Sequence, residues 1–212
     1  MESTKNKILK GSLDLFNNNG ITSTSLRMIA GKLEISLGNL NYHFNKRNDI
    51  ILYLYSEFSD VMDKMVLSII TKEEVSIEEA NIFIKDLMSS FFDYRFFFLD
   101  FSYIMRVYPS IRKNYKNMLE TREQQFPLLF KYLIQSEILV EEMYPDQYVL
   151  FYKRLQIISD FWIPYSEIND KKKREEVLSG YLKIVLSEIY PYFSDKFKPQ
   201  ILALLTDKKN DV

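Results

Sequence analysis

"LEISLGNLNYHFNKRNDI", Leu33 to Ile50, carries the single histidine of the chain, His43, between Tyr42 and Phe44 and just ahead of Lys46 and Arg47. Its spacing decides the fold. Leu40 and Phe44 stand four apart, so both fall on one face of a short helix, and Asn39, Tyr42 and His43 are left to the other. Ser36 sits where a helix N-cap belongs.

The flanking segments extend the pattern. "TSTSLRMIAGKLE" offers hydroxyl caps at Thr22 to Ser25, then Leu26, Ile29, Ala30 and Leu33 at helical spacing. Before it, "TKNKILKGSLDLFNNNG" places Ile8, Leu9, Leu13, Leu15 and Phe16 on a helical stripe that stops at Gly20. After it, "KRNDIILYLYSEFSDVMDKMVLSII" predicts one long helix to about Ile70, with Asp49 in its first turn. Three short helices within about 44 residues, the last two joined by a turn of about four, match a helix-turn-helix. The second helix of such a pair is short, with small or polar residues at its exposed N-terminal end so that it can enter a major groove. Here that end reads Ser36, Leu37, Gly38, Asn39, and Ala30 is small enough for the paired helices to cross closely.

The charge is divided along the chain. Residues 1–47 hold seven Lys or Arg against three Asp or Glu, and the remaining residues hold 21 against 26, within a net charge of −1. A basic first quarter on an acidic body points one end of the protein at a negative surface. Cysteine is absent, which excludes disulfides and thiolate metal sites. No apolar run approaches the ~18 residues needed to cross a bilayer, and the N-terminus lacks the pattern of a signal peptide. The expectation is a soluble, cytoplasmic protein with no membrane partner and no cofactor.

The rest of the chain reads as helix, in keeping with only 5 Gly and 6 Pro. Ser76 and Glu79 form a capping box. Helices are predicted at roughly 77–93, 95–106, 111–136, 146–166, 172–191 and 195–205, with a kink at Pro127 and ends at Pro164 and Pro191. Lys171 to Arg174 reads as a solvated loop and helix start. No strand alternation is present. The fold class is all-α, divided into residues 1–47 and residues 48–212.

Residues 4–55 resemble the DNA-binding domain of the TetR family of bacterial transcriptional repressors. The resemblance is carried by an Ile-Leu…Leu-Phe first helix ending in Gly, a Thr-Ser cap, Arg-x-Ile-Ala, an aliphatic-Ser turn, Gly-x-Leu, aromatic-His-Phe, and a basic residue before an apolar helix. Chain length fits as well. The resemblance implies that Thr24 and Ser25 cap the second helix and touch a phosphate, with Arg27 near the backbone. It implies that Ser36, Leu37, Gly38 and Asn39 face the groove floor, that Tyr42 and His43 hold the sugar-phosphate edge, and that Arg47 clamps another phosphate. Two positions depart from the family pattern. Asn41 stands where an aromatic is usual, and Glu34 stands where glycine is usual, which costs about 1 kcal/mol if the backbone there is left-handed.

His43 has no second His and no Cys to share a metal with, and a short surface helix supplies neither nucleophile nor pocket for a catalytic base. What remains is a surface histidine or a donor aimed at phosphate, and the sequence favours the donor. Asn39 and Ser36 read equally as helix capping and as base contacts.

"FFDYRFFFLDFSYIMRVY", Phe91 to Tyr108, contains nine aromatic residues in eighteen. It reads as a packed core or as an aromatic-walled ligand pocket. In the second reading Phe97, Phe98 and Phe101 form walls, and Tyr94, Arg95, Tyr103 and Arg106 are the polar groups. Asp93 and Asp100 either pair with the arginines or face solvent. The two long helices that follow, "YVLFYKRLQIISDFWIPY" and "VLSGYLKIVLSEIYPYF", are apolar over more than one face, as expected where a second chain covers them. The TetR resemblance implies a homodimer through these helices, with Phe161, Trp162, Tyr181 and Ile184 either as contacts or as intrachain core. It also implies a double-stranded operator, and a small apolar or amphipathic effector in the second domain. Two other readings stand beside it: a helical carrier or partner-binding module without DNA binding, and an all-α enzyme acting on a lipid-like substrate.

Overall fold

The computed structural model describes residues 3–72, 74–168 and 173–206. Among them the regular structure is helical: α1 (Thr4–Asn19), α2 (Leu26–Lys32), α3 (Leu37–His43), α4 (Arg47–Ile70), α5 (Ile77–Asp93), α6 (Arg95–Leu99), α7 (Phe101–Val107), α8 (Pro109–Gln135), α9 (Gln147–Ile168), α10 (Arg174–Ile189) and α11 (Lys198–Thr206). A 3-10 turn at Tyr190–Tyr192 follows α10, and one antiparallel bridge joins Leu139 to Phe193. The all-α expectation holds. No described helix is long and apolar enough to cross a membrane.

Most expected boundaries hold to within two or three residues, and the capping box of α5 is formed. The Glu79 amide donates to Ser76 Oγ at 3.2 Å, and the Ser76 amide donates to Glu79 Oε2 at 3.0 Å. Two expectations need correction. The helix expected over 95–106 is broken at Asp100 into α6 and α7. Pro164 does not end α9, which runs on to Ile168. Trp162 and Ile163 are buried just before it, and their packing outweighs the single backbone bond a proline removes. α8 contains Pro127 within its length and continues to Gln135. Of the charge run at 171–174, residues 171 and 172 lie outside the described residues, and Arg174 opens α10.

The chain forms two compact units. The first takes in residues 1–64 and 90–113. Its core gathers Ile8, Phe16, Ile21, Ile29, Leu40, Ile50, Leu54, Phe96, Phe97 and Ile104, all buried. Phe58 lies at the centre of an aromatic cluster, with ring centroids 5.4–6.0 Å from Phe91, Tyr94, Phe97 and Phe98.

The second unit takes in residues 65–89 and 114–212. One core cluster joins Phe130, Leu139, Tyr148, Phe151, Tyr152, Phe193 and Ile201. Beside it lies a buried polar group. The Tyr115 hydroxyl donates to Asp160 Oδ1 at 2.5 Å, and Gln156 Nε2 donates to the same oxygen at 3.0 Å. Burial pushes the Asp160 carboxyl up to about 6, although these two hydrogen bonds pull it down. The folded protein therefore holds this proton in a range where the unfolded chain, near 3.9, has released it. Because the folded state binds more protons between about pH 4 and 6, stability from this group is present below that window and is lost as pH rises through it. The stability of the wild type minus that of Asp160→Asn is expected to fall by up to about 3 kcal/mol between pH 4 and pH 7, measured by urea unfolding at each pH.

Candidate nucleic-acid interface

Three caps define the N-terminal helices. Ser3 Oγ accepts from the Asn6 amide at 3.2 Å, Ser25 Oγ from Met28 at 3.2 Å, and Ser36 Oγ from Asn39 at 3.1 Å. The cap of α2 thus falls to Ser25 and not to Thr24. Thr24 is buried, and its hydroxyl, which needs a partner there, donates to the Gly20 carbonyl at 2.9 Å. Gly20 closes α1 at φ 76°, ψ 159°, a conformation that only glycine adopts without strain. Gly11 serves a different purpose: a Cβ there would come within 2.8 Å of the Leu33 side chain, so α1 and α2 meet at a glycine.

The turn between α2 and α3 is fixed by its backbone. The Leu33 amide donates to Ile29, Glu34 to Gly31, and Ile35 to Ala30. Glu34 has φ 55°, so the backbone is left-handed at the position where the resemblance has glycine, and here it is occupied by a residue with a Cβ. From this turn α3 emerges with Leu40 and Phe44 buried. Its opposite side is open. Ser36, Gly38, Asn39, Asn41 and Tyr42 are exposed, Leu37 and His43 are half-buried, and Tyr42 is 85% exposed. His43 meets the Tyr42 ring edge-on, with centroids 5.1 Å apart. Arg27 on α2 is exposed.

Arg47, the first residue of α4, is tied inward. Its Nη1 donates to the carbonyls of Thr24 at 3.0 Å and Thr22 at 3.3 Å. Beside it the Tyr108 hydroxyl donates to Asn48 Oδ1 at 3.0 Å. Burial raises the Tyr108 pKa, and the neighbouring Arg47 charge opposes that rise. The arrangement presents hydrogen-bonding side chains along one side of a seven-residue helix that is anchored on the other, while Arg27 on α2 and Arg47 at the start of α4 supply cations from neighbouring helices, a geometry suited to lying along a polyanion.

Comparison with known proteins decides the family. The model of the family TetR, bacterial transcriptional repressor, matches residues 57–201, most of the chain. The chain belongs to the TetR family. A TetR-family transcriptional regulator from Marinobacter aquaeolei VT8 has a similar structure, with 25% identity, a TM-score of 0.87 and complete coverage of both chains. The ketosteroid transcriptional regulator KstR2 of Mycobacterium tuberculosis shares the fold at 14% identity and a TM-score of 0.68, over 92% of this chain and 97% of that one. A probable HTH-type transcriptional regulator of Bacillus subtilis (strain 168), YttP, is 34% identical over 62 residues, which span 29% of this chain and 30% of that protein. The family match begins at residue 57, beyond the residues 4–55 whose pattern carried the resemblance. TetR is a family of transcriptional regulators rather than enzymes, so the reading as a lipid-acting enzyme is set aside.

The other residues singled out in this TetR chain are placed as follows. Phe97 and Phe98 are buried in ring packing, 5.3 Å apart, with Tyr55 at 5.1 Å from Phe97 and Phe91 at 4.9 Å from Phe98. Phe101 lies 5.6 Å from Phe97 and is half-buried, as are Tyr94 and Tyr103. Burial raises the Tyr94 pKa, with Glu57 and Asp93 adding to the effect. Arg106 is exposed, and its Nε donates to the Ser102 carbonyl at 3.1 Å. In the second unit, Trp162 and Tyr181 are buried and stack on one another at 4.2 Å, whereas Phe161 and Ile184 are 50% and 45% exposed. The sequence reading passed over Asn17, Asn48 and Gly11. Their contacts join segments far apart in the chain, and no local spacing signals them.

Because Glu34 holds a left-handed backbone, Glu34→Gly is expected to raise the unfolding free energy by up to about 1 kcal/mol. Chemical denaturation measures the change, and a loss of stability would show that the turn is not held as described.

Proposed function

We propose that this TetR-family protein is a homodimeric repressor that binds a pseudo-palindromic operator through α3 and is released by a small apolar or amphipathic effector. The supporting observation is the outward side of α3, where Asn39 and the strongly exposed Tyr42 stand beside His43 while Leu40 and Phe44 anchor the helix from behind. In this reading residues 1–47 form the DNA-reading domain and residues 48–212 the effector and dimerisation domain. Ser36, Leu37, Gly38 and Asn39 meet the groove floor. Ser25, Arg27, Tyr42 and His43 meet the sugar-phosphate backbone, with Thr24 holding the loop behind them. Arg47 reaches a phosphate with the part of its guanidinium not turned to Thr22 and Thr24. Binding of this kind to a chromosomal operator belongs in the cytoplasm.

The dimer reading rests on an exposed stripe. Leu150, Ile157, Phe161, Tyr165 and Ile168 fall along one side of α9 at successive steps of three, four or seven residues, and all are exposed. Ile184 on α10 is exposed as well, one turn beyond the exposed Gly180, where an added Cβ would meet nothing within 4 Å. A second copy packed on these faces makes a two-fold dimer, and reading successive half-sites requires its two α3 helices to lie about 34–36 Å apart, one turn of duplex. Trp162 and Tyr181 then support the interface from beneath. For the effector, the half-buried Tyr94, Phe101 and Tyr103 are the first aromatic groups a ligand would meet on its way to Phe97 and Phe98, and Arg106 lies nearby in sequence to meet an anionic end. Such a ligand shifts the protein by no more than its differential affinity for the two states.

Purified protein is expected to retard DNA from upstream of its own gene in a sequence-selective, salt-dependent manner. The double substitution His43→Ala with Arg47→Ala should weaken binding about equally on all sequences and flatten the salt slope by about 1. Unchanged affinity would favour a carrier or partner-binding module instead. In the same assay, amphipathic molecules that raise the melting temperature of the protein should release the DNA.

Phe161→Glu combined with Ile184→Glu is expected to convert a dimer to a monomer in sedimentation while leaving the helical circular dichroism intact. A wild type that already sediments as a monomer removes the dimer from the reading.

A further inference from the structure

The two short helices α6 and α7 carry no side-chain cap of their own. Tyr94 stands at the N-cap of α6 and Asp100 at the N-cap of α7, and neither side chain bonds to the helix it precedes. The acceptor missing from the start of α6 is supplied from α1. Asn17 Oδ1 accepts from the Phe96 amide at 2.9 Å, and Asn17 Nδ2 donates to the Asp93 carbonyl at 2.8 Å. Arg95 adds a third tie, its Nη2 donating to Asn18 Oδ1 at 2.9 Å. At the other end of α6 the relation reverses. The helix breaks at Asp100, and its carboxylate accepts from the backbone amide of Ile21 at 2.9 Å, in the loop that follows α1. Ile21 is fully buried. The end of α1 therefore caps the start of α6, and the end of α6 caps the loop after α1.

That loop is the one that holds Arg47. The carbonyls of Thr22 and Thr24 accept from its guanidinium, and Thr24 is itself fixed by its bond to Gly20. The connected series runs from Asp100 through Ile21 and the loop carbonyls to Arg47. We propose that Asp100, together with Asn17, is a positioning residue for DNA binding: it holds the loop at 21–24, and so the first residue of α4, in the geometry that meets the duplex. The inference rests on the regulator reading above. Without the carboxylate, the Ile21 amide has no acceptor in its enclosed site. The loop then relaxes to hydrate it, and DNA binding has to restore the original arrangement.

The test uses the full chain and a duplex selected from a random library by the wild type. Asp100→Ala is expected to bind it about tenfold more weakly, a loss within the range that one unsatisfied buried amide costs, and to show faster hydrogen exchange at the amides of residues 21–25. Asp100→Asn keeps an oxygen that accepts the Ile21 amide and should stay within about threefold of the wild type. Unchanged affinity in folded Asp100→Ala, with only a lower melting temperature, overturns the proposal, and so does an Asp100→Asn as weak as Asp100→Ala. If Asp100→Ala does not fold, Asn17→Ala is read in the same way: weaker binding with faster exchange at 21–25 supports the clamp, and unchanged affinity overturns it. If the wild type retards no DNA at all, the regulator reading falls, and exchange at Ile21 still decides by itself whether Asp100 holds the loop.

Discussion

A helix of seven residues does not hold itself in water, because the bonds it closes scarcely offset the cost of ordering its backbone. α2, α3 and α7 have seven residues each and α6 has five. Everything proposed for the first unit depends on how these fragments are held from outside. For α3 the anchor is the burial of Leu40 and Phe44, with Ser36 closing one end and the left-handed Glu34 setting the angle of entry. For α6 it is Asn17, reaching over from α1. Such external fixing leaves one side of α3 with no internal duty, and that side carries Asn39, Tyr42 and His43.

The second unit solves the opposite problem. Its helices are long enough to be stable with ordinary packing, and α9 has more apolar surface than the unit itself buries. Trp162 turns in to stack on Tyr181, while Phe161, one residue before it, turns out. Inside, the Tyr115–Asp160–Gln156 group places a carboxylate where burial raises its pKa toward neutrality. A buried polar group of this kind contributes little net stability, but leaving any member unpaired is costly, so it favours a single arrangement of α8 against α9.

The aromatic run at 91–108 shows how composition alone leaves alternatives open. Nine rings in eighteen residues fit a packed core and a ligand wall equally well. The structure spends Phe97 and Phe98 on ring packing about Phe58 and leaves Tyr94, Phe101 and Tyr103 half-buried beside them. The run is divided at Asp100, where α6 ends and α7 begins.

The sequence by itself determined the helical class, the caps at Ser36 and Ser76, and the anchors Leu40 and Phe44; it narrowed the cap of α2 to Thr22–Ser25, and the family resemblance pointed to the turn at Glu34. Each of these is a local matter, in which residues within about four positions of one another satisfy or violate the same backbone turn. Tertiary structure decided the rest: the break at Asp100, the passage of α9 through Pro164, the inward turn of Thr24, and the pairing of Asn17 with the start of α6. In each of these cases the deciding partner lies far away in the chain or in the surrounding core. A buried amide takes the acceptor that folding brings to it, and no spacing along the chain records which one that will be.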